Sequence, residues 1–593
     1  MLFSTSLTVF AENSGIFESR VINFVEQNQD TMAAMSVSIF SNQDVLFEQS
    51  FGYINIAERV ANDSEAVFEW ASVSKLLVPV SVMQLVERGL LDLNADISEY
   101  LPNDFLTKLS YDDPITMLHL LNHTAGFQET FLIWNPTGGD IPSLDEALMM
   151  FEPPQIFRPG EVTAYSNYGT ALAGHIVEII SGKHFYAYIH ENIFVPLGMT
   201  RTALLTDLSD NIWVRTQRGN IQCYTSDMQN MGTANFMTYL YPSGMATGTL
   251  SDLRKFGQAL LPDEAGMSPL FRYPETLSQL HTPTSYYPNG ITGRNYHGFW
   301  SMPHLADIVI GHEGNTSMSS VLLIDIENNF GAAVMTNQAH ERIFNKQMMG
   351  IIFGEGDFSQ LENSGNDVRV SGIFRASRGF QRGIFKSIGL INLRPFSQPD
   401  ENTLTSLSLF TSYRVAPGIY RSEGYNDMSV LFFVAADESG NVQYVTAGST
   451  DYVRMNLGVT IFEVVSLLLF VIAGIYSLVM VVTILLRKIH KKGQYQPNMR
   501  IGIYSVSFLA LVNFIMFFLN TTSTTITQTM VAVHGIMFIL FALVIVTFVV
   551  LFALRTISTN LTKMQKLQGV AAFVAGVIMV INIIYWQLWM FWI

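Results

Sequence analysis

Phe68-Glu69-Trp70-Ala71-Ser72-Val73-Ser74-Lys75 is the stretch from which the rest of the chain can be read. Ser72 stands just ahead of an apolar pattern over residues 73–88 that closes at Gly89, as a helix with a glycine C-cap would. A spacing of three puts Lys75 on the same helix face as Ser72. A serine hydroxyl is a weak nucleophile until a neighbouring base or a lysine of lowered pKa activates it, and this arrangement offers one. The helix N-terminus adds partial positive charge beside Ser72. Ser-x-x-Lys alone is common by chance, and a capping serine beside a solvated lysine fits it as well. Pro79 falls inside the pattern, where its missing N–H should kink or shift the helix.

Two further motifs follow in order, Tyr165-Ser166-Asn167 and His312-Glu313-Gly314. Between them and the first stand Leu85-Val86-Glu87-Arg88-Gly89-Leu90-Leu91-Asp92-Leu93, Tyr100-Leu101-Pro102, His119-Leu120-Leu121-Asn122-His123-Thr124-Ala125-Gly126, Pro159-Gly160-Glu161 and Pro196-Leu197-Gly198-Met199. With these segments, residues 24–337 or so resemble the serine β-lactamase/penicillin-binding-protein superfamily in its class C-like branch. The resemblance implies an α+β fold, an antiparallel sheet flanked by helices with a helical subdomain. It makes Ser72 the nucleophile and Tyr165 the general base, its phenol acidified by Lys75, with either tyrosinate or lysine taking the first proton. Asn167 would hold Lys75 and the substrate amide. The N–H groups of Ser72 and Asn315 would form an oxyanion hole, where each preorganised donor can contribute about 3 kcal/mol.

His312 and Gly314 occupy the place of Lys-Thr-Gly in penicillin-binding proteins, as His-x-Gly does in related D-aminopeptidases and esterases. Gly314 would let a substrate backbone approach the strand. Losing the lysine weakens recognition of a substrate carboxylate, and Arg294 and Arg342 are the cations to test in its place. His312-Glu313 is not a zinc motif, because Thr316 stands where HExxH needs its second histidine. No other histidine cluster has ligand spacing, so neither metal nor cofactor is expected. His119 and His123 read as structural groups at a helix end, and Trp70 reads equally as pocket wall or packing. Cys223, the one cysteine, permits no intrachain disulfide and reads as a small buried hydrophobe.

Charge divides the 593 residues unevenly. From Leu457 onward eight Lys/Arg face a single acid, Glu463, about +7, whereas the preceding part carries about −23. The acidic part argues against nucleic acid, whose binders present basic faces. Four apolar runs, residues 457–486, 501–519, 531–554 and 569–593, each approach the roughly 20 residues that cross a bilayer core. Arg487, Lys488, Lys491, Lys492 and Arg500 make one intervening loop basic, and Arg555, Lys563 and Lys566 another, while residues 520–530 carry no charge. By the positive-inside rule the basic loops are cytoplasmic, and the region before Leu457 and the C-terminus lie outside. Trp586, Trp589 and Trp592 suit an outer-interface aromatic belt. Glu463 is the one acidic residue within a run, which favours an anchor over a transporter.

The expected organisation is an N-terminal segment over residues 1–23, a catalytic domain over 24–356, a β-rich module over 357–455 and four transmembrane helices over 457–593. Residues 1–11 are short and apolar, like a signal peptide without its basic start. Strand-like runs stand at 35–40, 45–51, 307–310, 321–326 and 331–336, and 428–434 with 442–445 read as a hairpin in the β-rich module. That module is either a spacer or a wall of the active site. Together these readings point to a multi-pass membrane protein with an extracytoplasmic serine hydrolase domain. Its substrate would be an amide or ester of a peptide-like, D-residue-containing or cell-wall-derived molecule. A penicillin-binding protein or β-lactamase, and a non-catalytic sensor that keeps the fold, are the rival readings.

Overall fold

A computed structural model describes residues 3–134, 140–233, 236–358, 361, 368–406, 410–425, 428–490, 499–522, 526–558 and 563–592. By its backbone contacts the chain falls into two units, residues 1–127, 133–371 and 394–453, and residues 128–132, 372–393 and 454–593.

The first unit is built on a nine-stranded antiparallel sheet. Its strands are β1 (Ala34–Ser41), β2 (Val45–Asn55), β3 (Val60–Ala61), β4 (Ser285–Tyr286), β5 (Gly293–Tyr296), β6 (Phe299–Ser301), β7 (Val309–Asn315), β8 (Ser319–Asp325) and β9 (Phe330–Thr336), in spatial order β3-β2-β1-β9-β8-β7-β6-β5-β4. The pairing of β1 with β9 brings the two ends of the domain together, with Val37 opposite Val334. Alternation sorts the side chains. Met35, Val37, Ile39, Val321, Leu323 and Val334 share one core with Val21 and Val25 of helix α1 (Phe3–Asn28) and with Phe344 and Met348. The opposite face meets a later helix, where a Cβ on Gly257 would stand 2.5 Å from Phe40 and 2.8 Å from Leu322. The expected strands therefore form, with helices on both faces, whereas β4 to β6 were not legible: they are too short to show a period.

The nucleophile segment departs from one continuous helix. Residues Ala71–Leu76 form a 3₁₀ turn and α2 runs Leu77–Glu87, ending through Gly89 (φ +69) with the Leu90 N–H on Leu85 O at 3.0 Å. The change of helix type accounts for Pro79. It becomes the third residue of α2, in the first turn, where N–H groups have no partner in the helix. Its ring packs against Gly298, whose Cβ would stand 3.3 Å from Pro79 Cγ. Helix α3 (Asn167–Ser181) starts at Ser166, whose Oγ accepts the Gly169 N–H at 3.0 Å, and stops at Gly182 with φ +68.

The β-rich module is a closed barrel of eight strands, β10 (Ser371–Ala376), β11 (Leu393–Asp400), β12 (Thr403–Ser406), β13 (Phe410–Ala416), β14 (Ile419–Tyr425), β15 (Met428–Ala436), β16 (Val442–Ala447) and β17 (Thr450–Arg454). The anticipated hairpin is β15–β16, its turn held by Asp437, which accepts the N–H groups of Ser439 at 3.0 Å and Asn441 at 2.8 Å.

The second unit contains four helices whose segments Leu457–Leu486, Arg500–Thr521, Gln528–Leu554 and Lys566–Tyr585 are long and apolar enough to cross a membrane. Two expectations change here. The fourth helix ends at Tyr585 rather than running to the last residue, because the chain turns through Gln587 (φ +53), with the Leu588 N–H on Ile583 O at 3.1 Å. Trp586 is not part of a belt: it is 1% exposed, and its Nε1 donates to Ser466 and Asn582, each at 3.2 Å. Glu463 is buried, pairs with Arg375 and accepts from the Tyr585 hydroxyl at 3.3 Å. A neutral polar cluster also stands among the helices, with His534 on Asn513 at 2.8 Å and on Asn520 at 3.0 Å. Lys491, Lys492 and Thr524, which bear on the orientation, lie outside the described residues.

Candidate active site

Ser72 is presented by a turn that costs backbone energy. Ala71, immediately before it, has φ +48, a left-handed conformation that costs an L-residue about 1–2 kcal/mol. Three hydrogen bonds hold this turn. Ser320 Oγ donates to Trp70 O at 2.6 Å, Ser74 Oγ donates to Ala71 O at 2.6 Å, and Ser74 Oγ accepts the Ala246 N–H at 3.0 Å. Ser74, the other serine of the motif, is thus fully buried in a structural role. Trp70 is also fully buried and stacks on Phe256 at 6.2 Å, which settles it as packing rather than pocket wall.

In a 3₁₀ turn residues three apart eclipse, so Lys75 lies directly over Ser72. Its Nζ donates to Ser72 Oγ at 3.0 Å and also to the carbonyl oxygen of Ser243. The same ammonium stands 4.9 Å from the Tyr165 ring centroid, so the three residues converge on one point. Asn167 is buried at the start of α3, the helix that follows Tyr165. The Ser243 carbonyl that accepts from Lys75 is a backbone group with no signature in a sequence.

Tyr165 is held by its neighbours. Its ring stacks on His123 at 4.5 Å, and His123 stacks in turn on Trp300 at 5.4 Å. The Ser166 N–H donates to His123 Nδ1 at 3.0 Å. His119 keeps the structural role expected of it, closing a capping box with Thr116. His123 does more, because it touches the Tyr165 ring directly.

His312 and Gly314 lie on β7, whose end faces the nucleophile turn. Burial first, and the Lys75 charge second, push the His312 imidazole down to about 3, so it is neutral near pH 7. Its Nδ1 lies 2.6 Å from Glu313 O, which can only accept, so Nδ1 carries the proton and Nε2 keeps a lone pair. Gly314 is also required by packing: a Cβ there would stand 2.2 Å from Trp70 O and 2.5 Å from Ser320 Oγ. A side chain there would press on the backbone that leads into Ser72. The Asn315 side chain is engaged with His340, at 2.6 Å to Nδ1 and 2.9 Å to the His340 N–H.

Beneath this wall lies a buried ion pair that the sequence did not announce. Glu69 accepts Arg218 Nη2 at 2.7 Å and Nε at 3.2 Å, and its other oxygen accepts from Thr316 at 2.6 Å. It thereby ties the end of β7 to the segment leading into Ser72. Arg218 also reaches Cys223 Sγ at 3.3 Å, and burial pushes that thiol up to about 11, which leaves it unreactive. Arg294 is not a carboxylate receptor: it is buried and spent on Asp451 and on Gly448 O. Among the described residues no group of three or more His, Cys, Asp or Glu is arranged to hold a metal ion.

Penicillin-binding protein 4* of Bacillus subtilis (strain 168) is 28% identical over 247 residues, 37% of this chain and 51% of that protein. Protein flp of Staphylococcus aureus (strain MRSA252) is 21% identical over 314 residues, 52% of this chain and 60% of that protein. The chain thus spans about half the length of these curated relatives. Among solved structures, SurE superposes with a TM-score of 0.51 at 17% identity, covering 75% of this chain and all of that one, a likeness of fold. The sequence profile of the Beta-lactamase family matches residues 21–348, more than half of the chain, and the protein belongs to that family.

Proposed function

We propose that the protein is a membrane-anchored serine hydrolase that forms an acyl-enzyme on Ser72, with its catalytic domain on the extracytoplasmic side. The observation that carries this reading is the convergence of Ser72 Oγ and the Tyr165 ring on one ammonium, that of Lys75. Ser72 Oγ attacks the substrate carbonyl and gives its proton to the Tyr165–Lys75 pair, while the Ser72 and Asn315 N–H groups receive the charge on the carbonyl oxygen. Collapse breaks the bond to the amine or alcohol, which leaves with that proton. Water then adds to the acyl carbon and returns Ser72 to its starting state.

The substrate class follows from the wall. A neutral His312 and an engaged Arg294 leave this side poorly suited to a free carboxylate. That favours amides or esters of peptide-like molecules, including those with D-residues, over penicillins and free-acid cell-wall peptides. Exposing the full chain in detergent to a fluorophosphonate, then measuring intact mass and mapping the adduct, tests the reading. An adduct on Ser72 that Ser72→Ala removes is the expected result. An unmodified wild-type chain would leave a non-catalytic sensor as the better account.

A further inference from the structure

The candidate base is secured by residues far beyond its own motif. Residues 163–165 lie against the two-residue turn that joins β16 to β17, where Gly448 has φ +55. The Thr163 N–H donates to Asp451 Oδ2 at 2.8 Å, and the Asp451 N–H donates to Thr163 O at 3.1 Å. Ala164 bridges to Thr450, and the Tyr165 N–H donates to Ser449 O at 3.2 Å. The backbone of Tyr165 is thus gripped by the barrel on one side and, through Ser166, by His123 on the other.

Arg294 of β5 locks the turn in place. Its Nη1 lies 2.8 Å from Asp451 Oδ1, and its Nε and Nη2 donate to Gly448 O at 3.0 and 2.8 Å. The side chains of this pair are only 4% and 3% exposed. Attachment of the barrel does not need such a pair. Apolar contact already supplies it, with Tyr287 stacked on Phe433 at 4.1 Å in a cluster with Ile419 and Leu431. A buried ion pair adds little net stability, because desolvation offsets its attraction, but the hydrogen bonds of Arg294 to Gly448 O and of the Thr163 N–H to Asp451 Oδ2 are directional and fix a register. Here the register it fixes is that of the segment leading into Tyr165.

We infer that Asp451 is a positioning residue for Tyr165, and that the barrel hairpin, held by Arg294, is a working part of the hydrolytic site. The inference rests on Tyr165 being the base of the proposed reaction. Because small misplacements of a reacting group are costly, loosening this clamp should slow acylation about tenfold or more without weakening probe binding.

The test is single-turnover phosphonylation of the full chain in detergent by a fluorophosphonate, in which Ser72 Oγ bonds to phosphorus and fluoride leaves, as a stand-in for acylation, followed by intact mass. Asp451→Ala and Asp451→Asn are compared in the natural background and in Tyr165→Phe. In the natural background the rate at saturation should fall about tenfold or more, with the half-saturating concentration unchanged. In Tyr165→Phe the same changes should slow it by less than about twofold, since their effect passes through the missing phenol. Asp451→Asn keeps the acceptor for the Thr163 N–H and the side-chain volume, so it decides the matter if Asp451→Ala loses its cooperative melt. Equal slowing in both backgrounds, or none in either, overturns the clamp alone. Tyr165→Phe acylating at the natural rate overturns the base assignment instead, and an absent Ser72 adduct overturns the hydrolase reading itself.

Discussion

Two serines of the same backbone turn have opposite tasks, and substitution should separate them. Ser72 is half-buried under Lys75, whereas Ser74 spends its hydroxyl on Ala71 O and the Ala246 N–H. Ser72→Ala should abolish covalent labelling and leave the melting temperature near its natural value. Ser74→Ala should leave labelling at Ser72 detectable but lower the melting temperature, since it strands two buried polar groups at about 1–3 kcal/mol each. Labelling that survives Ser72→Ala would refute the nucleophile assignment. His312 carries a second prediction. Its imidazole sits at about 3, against an ordinary value of 6.5, so between those values the unfolded chain binds a proton that the native site refuses. Stability contributed by neutral His312 is therefore complete above about 6.5 and lost as pH falls toward 3. His281 and His297, pushed down to about 4 by burial, act in the same direction. The melting temperature should drop between pH 6.5 and 4, and His297→Gln, which lies outside the reacting groups, should make that drop shallower. At neutral pH the same uncharged His312 predicts that blocked peptides and esters turn over at least as fast as their free-acid counterparts. A strong preference for free acids in a paired-substrate assay would point to another cation.

At the scale of elements, glycine shows what a motif can and cannot tell. Gly314 and Gly89 both stood out in the sequence, yet they are required for unrelated reasons. Gly89 has φ +69 with open space around its Cβ position, so alanine there meets only backbone strain, about 1–2 kcal/mol. Gly314→Ala would drive a methyl into Trp70 O and Ser320 Oγ, at 2.2 and 2.5 Å, against the very turn that presents Ser72. Gly314→Ala should thus lower the melting temperature more than Gly89→Ala and cut the acylation rate by at least about a hundredfold through displacement of that turn. Gly89→Ala should acylate at the natural rate, and a Gly314→Ala chain that does the same would show that β7 can yield. The contrast also explains what was legible. Ser72 and Lys75 stood out by their spacing of three, and Tyr165 and His312 through the family resemblance of their motifs. The strands β1, β2, β8 and β9 were readable as short apolar runs, and β1, β8 and β9, inside the sheet, are buried almost throughout. The Ser243 carbonyl, the His123 ring beneath Tyr165 and the Asp451–Arg294 pair were not. Each acts through a partner more than 40 residues away, or through backbone, and leaves no local pattern.

For the whole molecule, the remaining prediction concerns which way the chain faces. The four apolar helices carry their positive charge at alternate ends: Arg487, Lys488 and Arg500 flank the first connection, Arg555, Lys563 and Lys566 the third, and residues 520–530 have none. Basic connections of this length are expected on the cytoplasmic side, which would put the uncharged connection and both flanks of the bundle outside. The net −23 or so of the part before Leu457 does not oppose this, because long domains translocate largely regardless of their charge. The opposite end of the first helix agrees. Glu463, near its start, pairs with Arg375 and accepts a hydrogen bond from the Tyr585 hydroxyl, so the pair leaves no net charge there to favour retention in the cytoplasm. Reporters fused after Lys492 and Lys566 should therefore read cytoplasmic, and reporters near Thr524 or after Ile593 external. One reversed signal would break the four-span arrangement, and with it the premise that the hydrolase acts outside. An even number of spans returns the C-terminus to the side of the catalytic domain, so the fusion after Ile593 is the most direct measure of where Ser72 meets its substrate.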